Sequence, residues 1–392
     1  MISMYGIGSY LAELVKAQLN GNTAGQLPNG ITVGELIKIA ESNHLLYLLL
    51  GALVKIPNIS EEEREQLRKK IIVSLFISTK QILEIKSLEE CFENAGIVNQ
   101  PMKGAVLRFL YPSPEMREMS DIDMLIEGTG MVKAQNILLE RGYTLSQSIK
   151  HHDIYTRLDG MVVEAHHVLY DKTVDKNQYS YFTNFSRTSL KDGCKYTYEF
   201  SIDNFYIYMM AHMAKHFYQM GCGIRHLVDI YVYLNKYGNK MNRNYVDSEL
   251  KKCGILTFTK HMEKLSYVWL DEKPHEELYD YIFSYMLDSG IYGKDENGIW
   301  NKFAEKKQKN KKVSRFQLKM WYSFPPLSYM SEYYSYLENK PWLLPWAWLT
   351  RGWCGIWENK GIYKRKMINN IDNNNIQMLK TIYEKMDLGF KI

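Results

Sequence analysis

The chain has 392 residues, 46% hydrophobic and 24% charged, with a net charge of +5 at pH 7. At about 150 residues per domain this is two or three domains of ordinary globular composition, long enough to bury a sizeable core. The 5 Cys are scattered without a Cys-x-x-Cys pair, which excludes a zinc ribbon and a disulfide framework, while the mild positive charge permits a nucleotide or nucleic acid ligand without requiring one.

The start Met-Ile-Ser-Met-Tyr-Gly has no basic segment leading into an apolar one, and the apolar run from Leu45 to Ile56 is too short to cross a bilayer. A cytoplasmic protein without an integral membrane segment is therefore expected. Its 30 Tyr and 8 Trp suit packed helical surfaces and a ring-stacking site equally well. No internal repeat and no low-complexity segment stands out.

Residues 1–96 read as helical. Ser9 is placed to cap a first helix running to Leu19, Thr32 to cap a second, and His44 to Ile56 reads as a buried third. Ser60 with Glu63 forms a capping box for a long helix to Asn94, and Gly96 can supply the left-handed stop. That helix is expected to pack across the sheet that follows.

Residues 97–202 change period. Val98 to Met102 reads as a strand leading into Lys103-Gly104 and a short helix from Ala105 to Leu110, after which Pro112 and Pro114 enforce a loop. Next comes Arg117-Glu118-Met119-Ser120-Asp121-Ile122-Asp123, entering an apolar strand. Residues i and i+2 on a strand share a face, so Asp121 and Asp123 stand side by side. Two adjacent carboxylates repel unless something positive lies between them, and a hard divalent cation with oxygen ligands meets that need. An Asp-x-Asp alone occurs by chance in a chain of this length. Here it follows a helix start whose free N–H groups, with the Lys103 charge, suit phosphate.

Further on, Met131 to Arg141 reads as a helix closed by Gly142, and Tyr143 to Ile149 as a strand. Ile154 to Leu158 and Met161 to Leu169 flank Asp159-Gly160, a two-residue hairpin signal. The hairpin puts Val162, Glu164 and His166 on one side. Glu164 is charged in an otherwise apolar strand, so it either binds metal or sits on an exposed edge paired with a Lys.

Residues from Asn204 return to helix. His212 and His216 lie at i, i+4 beside Lys215, and Arg225 and Asp229 repeat that spacing on the next helix. The two His could ligate zinc or serve as structural hydrogen-bonding groups, and Arg225 could pair with Asp229. Lys302 to Lys319 holds eight Lys or Arg against one Glu, which is either a solvated face or a nucleic acid surface. The Trp- and Pro-rich segment from Trp321 to Trp357 could pack onto the helical domain or touch a membrane interface or partner.

A Gly opening a helix, followed by Arg-x-x-Ser-Asp-x-Asp at the edge of a strand, resembles the nucleotidyltransferase superfamily that includes DNA polymerase β and the aminoglycoside nucleotidyltransferases. More narrowly, the chain resembles the bacterial family of uncharacterised nucleotidyltransferases, in which Lys-Gly stands near the usual Gly-Ser. The resemblance covers roughly residues 97–230. It implies an α+β fold with a mixed-sheet core at residues 97–202, set between an N-terminal helical region, 1–96, and a C-terminal helical domain, 203–392.

It also implies an activity. Asp121 and Asp123, with Glu164 as the third acidic residue, would hold two Mg²⁺ ions, with an NTP as donor and a hydroxyl on a small molecule, RNA or protein as acceptor. Lys103, Gly104, Arg117, Ser120, Lys215 and Arg225 are the residues implied for the nucleotide side. Arg117 could alternatively pair with Glu115 or Glu118, and Glu164 or His166 could act as base. The Gly-Ser of better-studied members reads Lys103-Gly104-Ala105 here, so their Ser hydroxyl has no counterpart. A transferase modifying tRNA or protein in the manner of some toxins, and a nucleotide-binding scaffold without turnover, are the alternative functions.

Overall fold

The computed structural model describes residues 6–149, 151–170, 176–183, 185–294, 297, 320, 323–334, 336–357 and 373–388. The basic stretch from Lys302 to Lys319 lies outside the described residues. Packing divides the chain into two compact units, one of residues 1–217, 221–293 and 386–392, the other of residues 218–220 and 294–385.

The first unit opens with α1 (Ile7–Asn20), α2 (Val33–Asn43), α3 (Leu46–Leu53) and α4 (Glu61–Asn94). Helix α1 begins two residues ahead of Ser9, after Gly6 in a left-handed conformation, so Ser9 lies within the first turn and caps nothing. The other two N-terminal signals are realised. Thr32 and Ser60 each accept a bond from the backbone N–H three residues on, and Glu35 and Glu63 each accept one from the backbone N–H of the cap residue. Helix α4 turns Ile85, Leu88 and Phe92 onto the sheet and leaves Ile72, Val73 and Phe76 exposed halfway along.

A five-stranded mixed sheet follows, made of β1 (Asn99–Pro101), β2 (Ile122–Ile126), β3 (Tyr143–Ile149), β4 (His152–Arg157) and β5 (Val162–His166). Its order is β1-β2-β5-β4-β3; β2 and β5 run parallel and the remaining pairs antiparallel. Between β1 and β2 lies the one-turn helix α5 (Gly104–Leu107), extended by a 3-10 turn at Arg108–Leu110. Helix α6 (Met131–Glu140) packs with α4 on one face of the sheet, where Ile122, Met124, Ile126, Val163 and Ala165 meet Phe92, Ala134 and Leu138. Burial of this apolar layer stabilises the sheet at about 25 cal/mol per Å² removed from water. It also decides the sheet's chemistry, because strand alternation sends every other side chain of β2 and β5 to the opposite face.

The β4–β5 hairpin differs from the two-residue link. Arg157 N–H donates to Met161 O at 2.9 Å, so the loop is Leu158-Asp159-Gly160, with Gly160 at φ 83°. A three-residue loop ending in a left-handed Gly is the next commonest hairpin geometry, and only Gly adopts that φ without strain. Asp159 fastens it by accepting from Arg157 at 3.0 Å and pairing with Lys80 at 2.6 Å.

After α7 (Lys176–Tyr181) and the small ribbon of β6 (Thr188–Leu190) and β7 (Tyr198–Phe200), the unit continues as α8 (Ile202–Gln219), α9 (Arg225–Tyr237), α10 (Arg243–Lys252), α11 (Leu256–Leu270) and α12 (Glu277–Ser289). These join the N-terminal helices: Trp269 on α11 donates to Gly8 O at 2.9 Å from a fully buried position. In the second unit Met330, Leu337 and Ala347 form a small core and Trp348 donates to Pro325 O at 2.8 Å, whereas Trp342, Trp346 and Trp353 are exposed. Among the described residues no helix is long and apolar enough to cross a membrane.

Candidate active site

Asp123 is the second residue of β2 and stands in parallel register with Glu164 of β5, while His166 follows Glu164 at i+2. All three therefore leave the sheet on the face opposite the apolar core. Their ligand atoms lie within 4.8 Å of one another, and they are the one such group among the described residues. His166 Nε2 is 2.8 Å from Asp123 Oδ1 and 3.4 Å from Glu164 Oε2. Lys103 Nζ is 2.6 Å from the same Asp123 oxygen. His152, paired with His166 across β4 and β5, brings its Nε2 to 4.0 Å from Glu164.

The electrostatics follow from this crowding. Burial opposes the Asp123 charge, yet the Lys103 ammonium and the His166 bond hold its carboxyl well below the usual carboxylate range. Burial likewise opposes the Lys103 charge, and Asp123 outweighs it, raising the amine above its ordinary value. Glu164 stays below its usual range through the His166 hydrogen bond despite burial. Asp121, immediately before β2, has no such partner. Burial and the adjacent Asp123 charge push its carboxyl up to about 7, so the paired aspartates do repel, as their spacing requires.

Lys103 sits in a backbone conformation, φ 46° and ψ −117°, that L residues rarely adopt. Such strain persists only where the surroundings enforce it, and it concentrates at functional positions. Next to it, Gly104 has a reason to lack a side chain: a Cβ there would lie 2.6 Å from Arg117 Nη1. Arg117 is itself immobilised. Its Nε and Nη2 donate to the two oxygens of Asp229 at 2.9 and 3.1 Å, and Tyr111 donates to the same carboxylate at 2.8 Å. Arg117 thus pairs with neither Glu115 nor Glu118. Arg225 does not take Asp229 as a hydrogen-bonded partner either; it donates to Glu118 O at 3.1 Å and meets His44 Nδ1 at 3.3 Å.

The loop ahead of Asp121 is pinned by groups that sequence reasoning missed. Glu118 caps α3, accepting from Leu46 N at 3.2 Å and Tyr47 N at 2.9 Å, and also takes the Ser74 hydroxyl. Gln81 of α4 donates to Met119 O at 2.8 Å, and the fully buried Arg108 reaches Ser78, Gln81 and Pro114 O. An acidic residue with no local cap partner, three positions before Asp121, was the available signal. Ser120 is exposed beside Asp121.

Helix α8 faces this chemistry. Tyr208 is raised above its ordinary pKa by burial and by Asp123 and Glu164, with Lys103 opposing. His216 is pushed down to about 3 by burial and by Lys103, and His212 well below its ordinary value for the same reasons, so both are neutral. Their rings touch edge to face at 4.4 Å, and among the described residues no potential metal group includes them. Lys215 Nζ lies 5.6 Å above the Tyr170 ring.

The donors present fit a divalent cation. Two carboxylates and an imidazole converge, and Asp121, whose charged form burial and Asp123 disfavour, would be stabilised in that form by a cation. A mixed sheet with carboxylates where a strand begins, set among helices, defines a nucleotidyltransferase-type α+β core. Residues 29–271 match the family described as uncharacterised nucleotidyltransferase, and the chain belongs to that family. No curated protein and no solved structure matches it. Family membership supports nucleotidyl transfer in general and an NTP as substrate.

Proposed function

We propose that the protein transfers a nucleoside monophosphate from an NTP to a hydroxyl acceptor, in a reaction dependent on Mg²⁺ or a similar divalent cation. The observation that carries this reading is the convergence of Asp123 and Glu164 on one sheet face, beside Asp121, raised by burial and by Asp123, and a strained Lys103. Asp121, Asp123 and Glu164 would hold the cations, which when bound would neutralise phosphate charge and lower the pKa of the acceptor hydroxyl.

The chain's own groups do the rest. The acceptor oxygen attacks the α-phosphorus, the bond from that phosphorus to the β-bridging oxygen breaks, and pyrophosphate leaves with the electron pair. Glu164 takes the hydroxyl proton on a carboxylate oxygen that is not engaged by a cation. Lys103, whose ammonium lies 2.6 Å from Asp123, would supply positive charge to the leaving phosphates. Arg225, whose Nε makes no hydrogen bond among the described residues, with Lys215 and Ser120, lies on the phosphate side. Arg117 acts as a positioning residue, holding Gly104 against the Asp-x-Asp loop.

The reading is tested by incubating the protein with each labelled NTP, Mg²⁺ and a cell extract. Label on RNA, protein or a small molecule, absent in Asp123→Asn, is the expected result and identifies the acceptor class. No label from any NTP would overturn it.

A further inference from the structure

The cation site carries an unusual donor. His166 is 6% exposed, its Nε2 is directed between Asp123 and Glu164, and its Nδ1 makes no hydrogen bond among the described residues. His152 stands 5.0 Å away ring to ring, also with its Nδ1 unpartnered. Mg²⁺ takes oxygen donors and keeps several waters, whereas imidazole suits divalent transition metals. A cation seated between Asp123 and Glu164 meets His166 Nε2 without rearrangement of β2 or β5.

We propose that the metal site of this chain is a mixed-donor site of Asp123, Glu164 and His166 that prefers divalent transition-metal ions, with Mn²⁺ as the spectroscopic probe of that class, over Mg²⁺. It rests on the cation-dependent reading above and names the ion class. The proton balance is simple. To ligate through Nε2, a neutral His166 would carry its proton on Nδ1, which makes no hydrogen bond among the described residues, and would present the Nε2 lone pair between Asp123 and Glu164. Lys103 would then share Asp123 with the cation.

Electron paramagnetic resonance of Mn²⁺ bound to the full chain tests this directly. Spin-echo modulation from an imidazole ¹⁴N is expected in the wild type and in His152→Asn, and its loss in His166→Asn. In parallel, competition of Mg²⁺ against Mn²⁺ should show a preference for Mn²⁺ that falls about tenfold or more in His166→Asp, where the donors are all oxygen. Bound Mn²⁺ without nitrogen modulation, an unchanged preference in His166→Asp, or no Mn²⁺ binding would each overturn the proposal. The first of these leaves nucleotidyl transfer standing. Nitrogen-coordinated Mn²⁺ without transfer of label from any NTP would instead sink the transfer reading alone.

Discussion

Two buried charge clusters lie side by side in this protein, and their difference separates scaffold from chemistry. In the loop cluster every charge of the Arg117–Asp229 pair is matched, with two of the three guanidinium nitrogens on the two carboxylate oxygens and Tyr111 completing the set. In the strand cluster Asp121, Asp123 and Glu164 crowd together with Lys103 and His166, and Asp121 is raised to about 7 by burial and by Asp123. A closed network fixes geometry and asks for no ligand. An open one, with a carboxyl kept from its charged form, is suited to a cation.

The contrast predicts opposite phenotypes. Replacement in the open cluster should remove function and spare the fold: Asp121→Asn and Asp123→Asn are expected to lower transfer by about 10³-fold or more, with thermal unfolding close to wild type. Transfer within tenfold of wild type in both variants would move the chemistry elsewhere. Replacement in the closed cluster should remove the fold first. Asp229→Ala leaves Arg117 buried and unpaired, and should cost about 3–5 kcal/mol in urea unfolding; a loss below about 1 kcal/mol would show the pair to be dispensable.

Gly104→Ala should sit between these extremes. The new methyl meets the bound Arg117 guanidinium, and overpacking of this kind costs about 1–3 kcal/mol while displacing the loop that carries Asp121. Arg117→Lys combined with Gly104→Ala should recover part of that loss if the clash is the cause.

The pH dependence of stability sharpens the comparison from another side. His216 and His226 are held at about 3 by burial, with Lys103 and Arg225 respectively adding to it, against an ordinary value of 6.5. Their depressed values contribute stability that is fully present above pH 6.5 and lost as pH falls toward 3, because the unfolded chain binds protons that the folded chain refuses. The urea midpoint should therefore drop between pH 7 and pH 5. In His216→Asn/His226→Asn that drop should be smaller; an equal drop would assign it to other groups.

The smallest expected effect is at Lys103. Lys103→Gly relieves a strained backbone of order 1–3 kcal/mol but removes the partner of Asp123, so net stability should change little. Triphosphate binding should weaken much more than monophosphate binding, and equal weakening would leave Lys103 as a structural counter-ion.

How much of this was legible in the sequence follows the range of the interactions. The cap at Thr32, the capping box at Ser60 and the shared face of Glu164 and His166 are set by residues within three positions of each other, and they read correctly, although the return contact of Glu35 at Thr32 was not read. The pairing of Asp123 with Glu164 needed the parallel β2–β5 crossover, which a strand, helix and hairpin in succession suggest without giving a register. Arg117 with Asp229 spans 112 residues and Glu118 with Tyr47 spans 71. Only the folded core brings these together, so local spacing favoured nearer partners that are not used. The donor role of Arg225 toward Glu118 O was hidden for the same reason.

The central claim, that the open strand cluster is a cation-dependent nucleotide site, is met most directly by calorimetric titration of NTP into wild type and Asp123→Asn with and without a divalent cation. Binding in the wild type only when the cation is present, and none in Asp123→Asn under either condition, is the predicted result. Cation-independent binding of equal affinity in both proteins would contradict it.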